Sequence, residues 1–392
     1  MKLALVIQRF GPGVIGGAEY QCLQVAKRLQ TLGHDVHILT TCARDYITWE
    51  NAFSPGLDNF QGLPVRRFAV KKQRNPRRFA DLSKRVFYHD HTREQEEQWV
   101  TACGPYAPGL VRYIKTHEPD YDRFIFYCFR YYTSYHGALA VPHKAVIVPT
   151  AEADRVITLA IYRDFFNQVA GIVYNTPEEK ELVQTCCQCH KLPSICPAMG
   201  LDVPGSLDPE RFRSATGIKG PYILYVGRLD RNKGIPLLLH GFFTYKLALT
   251  SDLQLVLAGK QVEEVPDHKA IRYVGFLEEE MKYHAMAGCR FFVNASRLES
   301  LSIVILEAWA TGRPVLVNGR CDVLKGQVRR ARGGLFFSNA RDFVYAGRLL
   351  EKSPGLRERM GASGRQYVRE TYDWQKVMTG YERLLRGETQ ID

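Results

Sequence analysis

RFFVNASRLESLSIVILEAWATGRPVLVN, residues 290–318, places a polar turn and an apolar segment between two short apolar runs. The run Phe291–Val293 predicts a buried parallel strand, and Pro314–Val317 predicts the next one. Ile303–Ala310 predicts a helix that ends at Gly312. The stretch therefore predicts a strand–helix–strand unit of an α/β protein.

Two carboxylates of this stretch, Glu299 in the turn and Glu307 on the helix, are separated by seven residues. Ser302 is the predicted N-cap, which leaves the amides of Ile303 and Val304 at a positive helix end that suits a phosphate. Helical side chains lean toward the N-terminus, so Glu307 reaches the same crevice. This pattern suits a nucleotide sugar. Two solvated glutamates remain the alternative on spacing alone, because short motifs often match by accident.

The length and composition predict a globular protein with two domains. The chain has 392 residues, of which 45% are hydrophobic and 24% charged, and one core rarely serves so long a chain. The ten cysteines are scattered, and MKLALVIQRFGPG has too short an apolar run for a signal peptide or a membrane span. We therefore expect a cytoplasmic protein with reduced cysteines.

Strands and helices alternate on both sides of a segment rich in proline and glycine. This pattern predicts a Rossmann-like domain over 1–196, a linker over 197–220 and a second Rossmann-like domain over 221–370. A final amphipathic helix is predicted within 371–392. The fold class is therefore α/β with two doubly wound parallel sheets.

A glycine-rich turn follows the first predicted strand. Gly11, Gly13 and Gly16 fit the dinucleotide pattern G-x-G-x-x-G. The next strand, Asp35–Leu39, is followed by Thr-Thr-Cys and lacks the acid that would bind a ribose, which argues against NAD. The glycines still permit close approach of the backbone to a phosphate.

The loop after the strand Tyr222–Val226 reads Gly-Arg-Leu-Asp-Arg-Asn-Lys-Gly. Arg228 and Lys233 flank this turn and can clamp a diphosphate. An ordinary charged loop between a strand and a helix is the alternative.

These motifs together resemble the donor site of the family 4 retaining glycosyltransferases, the glycosyl transferases group 1, which have the GT-B fold. The resemblance rests on Glu-x7-Glu followed by Ala-x3-Gly-x-Pro-Val, and on Gly-Arg-Leu-x3-Lys-Gly. It implies two Rossmann-like domains that face a central cleft, with the final helix returning to the N-terminal domain. It also implies transfer of a hexosyl unit from a nucleoside-diphosphate sugar to a hydroxyl acceptor, in cell-surface glycan or glycolipid synthesis.

The resemblance also assigns roles to residues of this chain. Arg228 and Lys233 would bind the donor phosphates, Glu299 the sugar hydroxyls and Glu307 the ribose hydroxyls. The predicted donor-binding residues are Gly16, Gly17, Arg228, Lys233, Gly275, Phe276, Glu299, Ser302, Ile303, Val304 and Glu307. The predicted catalytic residues are Glu152, Arg228, Lys233 and Glu299.

The acceptor side departs from the family pattern. Many members carry a histidine in the loop that here reads Pro149–Asp154, and this chain has no histidine between His143 and His190. Glu152 is the nearest chemical substitute, with Asp154 as the alternative. A nucleotide-binding scaffold that has lost transfer and a sugar-nucleotide epimerase remain the alternative functions.

No carboxylate pair is placed to bind a metal ion, so we predict metal-independent chemistry without a cofactor besides the sugar nucleotide. Cys186, Cys187, Cys189, His190 and Cys196 superficially resemble a zinc cluster. A second spaced pair is missing, which favours a surface segment over a zinc site.

Nine Lys or Arg and one acid lie between Arg66 and Arg85. This basic cluster suits an anionic membrane surface or an acidic acceptor, and a solvated loop is the alternative. No nucleic-acid motif accompanies it. We therefore expect a glycan or lipid-linked acceptor, no nucleic acid partner, and a peripheral position at the inner membrane face.

Overall fold

The computed structural model describes residues 1–202 and 205–388. The chain divides into two compact units. The first comprises Met1–Met199 together with Gln375–Asp392, and the second comprises Gly200–Trp374. Parts of the predicted linker and of the predicted final helix, residues 203–204 and 389–392, lie outside the described residues.

The first unit contains an eight-stranded sheet with helices packed on it. The strand order is β3-β4-β2-β1-β5-β6-β7-β8, and all neighbours are parallel except β3 and β4. The strands are β1 (Lys2–Val6), β2 (Asp35–Thr41), β3 (Gly56–Phe60), β4 (Leu63–Phe68), β5 (Arg123–Tyr127), β6 (Ala145–Val148), β7 (Gly171–Val173) and β8 (Ser194–Ile195). The helices are α1 (Gly17–Thr31), α2 (Pro76–Tyr88), α3 (Arg93–Cys103), α4 (Pro108–Thr116), α5 (Tyr132–Ala140), α6 (Ala160–Phe166) and α7 (Pro177–Cys187).

The antiparallel hairpin β3–β4 lies where the sequence predicted no regular element. Its turn uses Gln61 and Gly62, both with positive φ (54° and 86°), the geometry of a tight hairpin connection. The predicted parallel sheet therefore carries one antiparallel edge strand. Alternating burial on β4, with Leu63 and Val65 inside, pins its register against β2.

The basic cluster of residues 66–85 contains arginines that are wholly or partly buried and cations that are exposed. Arg67 is 2% exposed and its Nε donates to Asp58 Oδ2 (2.8 Å). Arg74 donates to Cys103 O and Tyr46 O. These arginines serve the packing of the first unit. Six basic residues are exposed, namely Lys71, Lys72, Arg77, Arg78, Lys84 and Arg85.

The second unit contains a six-stranded parallel sheet in the order β11-β10-β9-β12-β13-β14. The strands are β9 (Tyr222–Val226), β10 (Gln254–Ala258), β11 (Ile271–Tyr273), β12 (Phe292–Asn294), β13 (Val315–Asn318) and β14 (Gly334–Phe337). The helices are α8 (Pro209–Thr216), α9 (Ile235–Ala248), α10 (Glu279–Gly288), α11 (Ile303–Ala310), α12 (Asp322–Ala331), α13 (Ala340–Lys352) and α14 (Pro354–Thr371). The last helix of the chain is α15 (Trp374–Leu385).

Side chains of the second sheet alternate between two hydrophobic cores, one on each face. Tyr222 and Leu224 of β9 join one core, whereas Ile223 and Tyr225 join the other. Successive strand residues point to opposite faces, so the apolar residues of the inner strands β10, β12 and β13 are all buried. This is why the strands are continuous apolar runs, as the sequence predicted.

The segment predicted as a linker contains a helix of the second unit. Asp208 Oδ1 caps α8 by accepting from Glu210 N (3.0 Å) and Arg211 N (3.3 Å). Phe212 is buried in the core of the second unit. The units therefore meet in sequence between Met199 and Gly200, rather than over 197–220.

The chain from Gln375 onward, which holds nearly all of α15, is grouped with the first unit. Tyr381 anchors the helix there because its hydroxyl donates to Ala198 O (2.8 Å) and is fully buried. No helix of the described residues combines the length and the apolar composition needed to cross a membrane.

Candidate functional site

Most of the predicted donor-binding residues lie at the carboxyl ends of the strands of the second sheet, where α/β folds bind ligands. The ends of β9 and β10 approach each other unusually closely. A Cβ at Gly259 would lie 2.0 Å from Gly227 O, and both glycines have positive φ (130° and 155°). Only glycine fits such an approach. The loop that carries Arg228 is thereby held against the end of β10.

Lys233 and Glu299 form an ion pair at this edge. Lys233 Nζ lies 2.9 Å from Glu299 Oε1, and their side chains are 30% and 11% exposed. Gly234 makes the pair possible, since a Cβ there would lie 2.0 Å from Ala295 O. The start of α9 therefore touches the end of β12, and the lysine meets the glutamate that follows that strand.

Arg228 is also held by a carboxylate. Its Nε lies 2.5 Å from Asp230 Oδ2, and Asp230 Oδ1 accepts from Lys233 N (2.8 Å). Asp230 thus orders the whole turn between the two cations, a role that the sequence did not assign. An anion that binds Arg228 and Lys233 therefore has to displace the carboxylates of Asp230 and Glu299.

The predicted helix Ile303–Ala310 has the bounds observed for α11. Ser302 is at the N-cap position, but its hydroxyl accepts from Asn294 Nδ2 (2.8 Å) and makes no capping bond. The residue is 2% exposed. The prediction that the Ser302 side chain caps the helix is therefore wrong, because its hydroxyl is bonded to Asn294 of β12. The amide end of α11 at Ile303 and Val304 has no side-chain cap.

Glu307 is 1% exposed, and its Oε1 lies 2.5 Å from Lys282 Nζ of α10. Its Oε2 is buried and has no hydrogen-bond partner among the described residues. Burial raises the pKa of Glu307, and the Lys282 ammonium opposes that rise. No local sequence pattern identifies Lys282, because only packing brings α10 beside α11.

Gly275 and Phe276 follow β11 at the same edge of the sheet. Gly275 O accepts from Gly259 N (2.8 Å), and Gly275 has positive φ (75°). The Phe276 side chain is 53% exposed. This turn offers backbone groups and an open aromatic face.

Gly16 and Gly17 begin α1 in the first unit, and no side chain caps this helix. A Cβ at Gly16 would lie 2.0 Å from Glu19 Oε2, so a larger residue there would have to displace the buried Glu19 carboxylate. Glu19 Oε1 accepts from Arg9 Nε (2.6 Å), and Arg9 Nη2 donates to Ile15 O (3.0 Å). Arg9 and Glu19 thus fix the glycine turn, a pairing that the sequence analysis missed.

Glu152 lies in the loop after β6, beside an arginine that the sequence analysis did not single out. Arg130 Nη2 lies 2.8 Å from Asp154 Oδ2 and 3.9 Å from Glu152 Oε2. Although burial lowers the pKa of Arg130, the two carboxylates raise it overall. The guanidinium holds both acids of the loop in one group.

A second buried acid, Glu179 of α7, holds the backbone of this loop. Its two oxygens accept from Ala151 N (2.5 Å) and Asn175 N (2.6 Å). Glu179 is 1% exposed, and burial raises its pKa to about 8 against the pull of these amides. In the local sequence Glu179 is only the acid three residues after Thr176, the cap of α7. Its contact with Ala151 depends on the pairing of β6 with β7.

The cysteine cluster does not form the predicted surface segment. Cys187 and Cys189 are buried in the core of the first unit, whereas Cys196 is exposed. Within residues 1–202 and 205–388, no group of three His, Cys, Asp or Glu is arranged to hold a metal ion.

Residues 208–367, nearly the whole second unit, match the family model of glycosyl transferases group 1. This match identifies the second unit as similar to the group 1 glycosyltransferases. The whole chain is 24% identical to an uncharacterized glycosyltransferase of Methanocaldococcus jannaschii, over 96% of each chain. It is 28% identical to the phosphatidyl-myo-inositol mannosyltransferase of Mycobacterium leprae, over 49% of this chain and 55% of that one.

Solved structures share the fold of this chain along its whole length. Sucrose-phosphate synthase from Thermosynechococcus elongatus superimposes with a TM-score of 0.71 at 16% identity, over 98% of each chain. Anabaena HepE, in complex with UDP and glucose, gives a TM-score of 0.69 at 15% identity, over 99% of this chain and 100% of that one. The predicted GT-B fold is confirmed.

Proposed function

We propose that this chain is a retaining hexosyltransferase that uses a nucleoside-diphosphate sugar as donor. The carrying observation is the arrangement of Arg228, Lys233 and Glu299 with the uncapped start of α11 at one edge of the second sheet. Two cations and a helix N-terminus can bind the negative charge of a diphosphate. Glu299, which is paired with Lys233, can accept hydrogen bonds from sugar hydroxyls.

Binding of the donor exchanges one set of ion pairs for another. The diphosphate takes over Lys233 from Glu299 and Arg228 from Asp230, which frees Glu299 Oε1 to accept from a sugar hydroxyl. As the glycosidic bond to the diphosphate breaks, negative charge grows on the leaving group, and Arg228 and Lys233 stabilise it. Basic side chains thus do what a magnesium ion would do, which makes the reaction metal-independent.

Glu307 is assigned to the ribose. Its Oε2 is a buried acceptor that no described residue satisfies, and such an atom gains strongly from a hydroxyl donor. Lys282 favours the ionised form that accepts two hydrogen bonds. Gly275 and Phe276 would hold the base through the backbone and the exposed ring.

The first unit supplies the acceptor side in this proposal. Glu152 would accept the proton of the attacking hydroxyl or hold that hydroxyl, with Arg130 fixing its position and Glu179 fixing its loop. Gly16 and Gly17 would give amide donors to the donor phosphates. In this proposal the Glu152 carboxylate replaces the histidine of many family members. A carboxylate oxygen rather than a ring nitrogen then accepts the proton or the hydrogen bond of the attacking hydroxyl.

The acceptor proposed is a glycan or lipid-linked hydroxyl in cell-surface glycan synthesis, reached from the inner membrane face. Six exposed cations on and beside α2 support attraction to anionic lipid. The phosphatidyl-myo-inositol mannosyltransferase, whose name denotes a lipid acceptor and a hexosyl donor, also supports this class. Co-sedimentation with anionic vesicles at low salt tests it, and neutral vesicles are the control. Equal recovery with both vesicle types would refute the membrane assignment.

Isothermal titration with UDP, GDP and ADP, followed by a transfer assay with the sugar of the tightest nucleotide, tests the activity. We expect micromolar or tighter binding of one nucleotide, transfer with retained configuration, and no loss of rate in EDTA. Tight binding without transfer across a broad acceptor panel would favour a scaffold protein instead. An epimerised sugar formed without acceptor would favour an epimerase. Activity that EDTA abolishes and magnesium restores would refute metal independence.

A further inference from the structure

Four arginines gather at the amino ends of β12 and β13, the edge of the second sheet opposite to Arg228 and Glu299. Arg290 precedes β12 and Arg313 precedes β13, and the two strands are neighbours in register, with Phe292 beside Val315. Phe292 N donates to Pro314 O (3.0 Å). Arg290 and Arg313 therefore lie next to each other in the backbone at this edge of the sheet. Together with Arg357 and Arg365 of α14 we call them the arginine cluster.

Helix α14 brings the other two arginines to the same place. Its Gly361 rests directly on the turn before β13, because a Cβ there would lie 2.0 Å from Gly312 O. Arg357 and Arg365 lie four residues before and after Gly361, on the same face of the helix. Arg365 Nη2 lies 2.5 Å from the position of a Cβ on Gly312. The two side chains flank the turn that carries Arg313.

The cluster has an excess of positive charge that the described residues leave unbalanced. None of its four arginines has a described carboxylate within ion-pair distance, and the Nε atoms of Arg313 and Arg365 are buried without a hydrogen-bond partner. Arg357 is 9% exposed and donates to two carbonyls, Leu350 O (2.6 Å) and Glu351 O (2.8 Å). Carbonyls satisfy hydrogen bonds but do not neutralise the charge.

The mutual repulsion is visible at Arg357. Burial lowers the pKa of Arg357, and the charges of Arg290 and Arg313 lower it further, with weaker opposition from Glu358 and Glu351. The carboxylate of Glu351 is engaged elsewhere, by Ser251 Oγ (2.5 Å) and Tyr245 OH (2.6 Å). A cluster of like charges held together by packing is stabilised by an anion.

We propose that the arginine cluster binds a small phosphate-bearing anion, at a site separate from the donor site of the same unit. Guanidinium groups present forked donors that match phosphate oxygens. Arg290 and Arg313 precede the amino ends of β12 and β13, and Arg357 and Arg365 lie beside them on α14, whereas the donor residues follow the carboxyl ends of the strands. The site therefore stands independently of the proposed function, and the anion acts there as an effector or a structural ligand, not as a reactant.

Thermal-shift and calorimetric titration of the full chain with orthophosphate, pyrophosphate and glucose 6-phosphate tests the proposal, with potassium chloride at equal ionic strength as the reference. The titrations are repeated in Lys233→Ala, which removes a phosphate ligand of the donor site. We expect at least one of the three anions to raise Tm in both proteins. The preferred anion tells whether the natural ligand is free phosphate, a diphosphate or a phosphorylated sugar.

Arg290→Gln is the first variant, because Arg290 is exposed and its replacement leaves the core intact. It should weaken anion binding by about tenfold, the loss of one charge-assisted hydrogen bond, and raise Tm without anion by relieving repulsion. Arg365→Gln should weaken binding at least as much. The matched control, Arg359→Gln, changes an exposed arginine on the opposite face of α14 and should bind as the parent does. The proposal fails if no anion shifts Tm beyond chloride, or if Arg290→Gln and Arg365→Gln keep the full shift.

Discussion

Replacing Lys282 by methionine tests the buried ion pair with Glu307 most directly. Methionine keeps most of the apolar stem and removes the ammonium that lies 2.5 Å from Glu307 Oε1. The other carboxylate oxygen already lacks a partner, so the substitution leaves a nearly fully buried acid without any described compensation. Removing one partner of a buried pair costs about 3–5 kcal/mol when the remaining charge persists.

Protonation of Glu307 limits that loss. The loss of unfolding free energy cannot exceed the cost of protonating Glu307. Relative to the unfolded chain, where its pKa has the ordinary value of 4.5, that cost is about 1.36 kcal/mol for each pH unit above 4.5. The limit is thus about 1.4 kcal/mol near pH 5.5 and about 5 kcal/mol near pH 8. Because the pKa of Glu307 is raised in the folded state, the folded state keeps the proton to a higher pH than the unfolded state does. Stability therefore falls as pH rises above 4.5, and the substitution extends this fall to higher pH.

Urea unfolding of the parent, Lys282→Met and Lys282→Arg near pH 5.5 and near pH 8 measures the effect. We expect the methionine variant to lose at most about 1 kcal/mol at the lower pH and about 3 kcal/mol or more at the higher pH. The arginine variant retains the charge and should follow the parent. An equal loss of unfolding free energy at both pH values would refute the reasoning, since a packing defect does not titrate.

Three further predictions concern single residues of the site. Lys233→Ala should weaken donor binding by about 10–100-fold in calorimetry, because charge-assisted hydrogen bonds contribute about 1.5–3 kcal/mol; unchanged donor affinity would remove Lys233 from the phosphate clamp. Gly259→Ala should lower the free energy of unfolding by about 2 kcal/mol or more, since its Cβ would lie 2.0 Å from Gly227 O, and urea unfolding at parental stability would contradict the close approach. Glu152→Gln should lower the transfer rate about 100-fold with donor affinity unchanged; a parental rate would exclude Glu152 from the reaction.

Local sequence patterns predicted the second unit well. The buried parallel strands and the bounds of α11 follow from apolar runs and from a glycine after the helix, which act within about ten residues. In the first unit the same reasoning missed the hairpin β3–β4, because its exposed strand Gly56–Phe60 carries no alternation of apolar residues. It also misplaced the unit boundary, because α8 lies within a segment rich in proline and glycine.

Partners across long sequence separations were beyond any such pattern. Glu299 was identified from its spacing, but its pairing with Lys233 depends on the contact of Gly234 with Ala295 O. The same holds for Lys282 beside Glu307, which requires α10 and α11 to pack side by side.

The sequence by itself determined which residue types stand at the ends of which strands, and therefore the fold and the position of the candidate donor site. Strand periodicity and glycine turns are local properties, so they can be recognised in the sequence without knowledge of the fold. Only the tertiary structure decided which of those charges are balanced. It buried Arg67 and partly buried Arg74. It also paired both cations of the donor site and left the arginine cluster without an ion pair to a described acid. Charge balance depends on distances between elements far apart in the chain, and packing alone sets those distances.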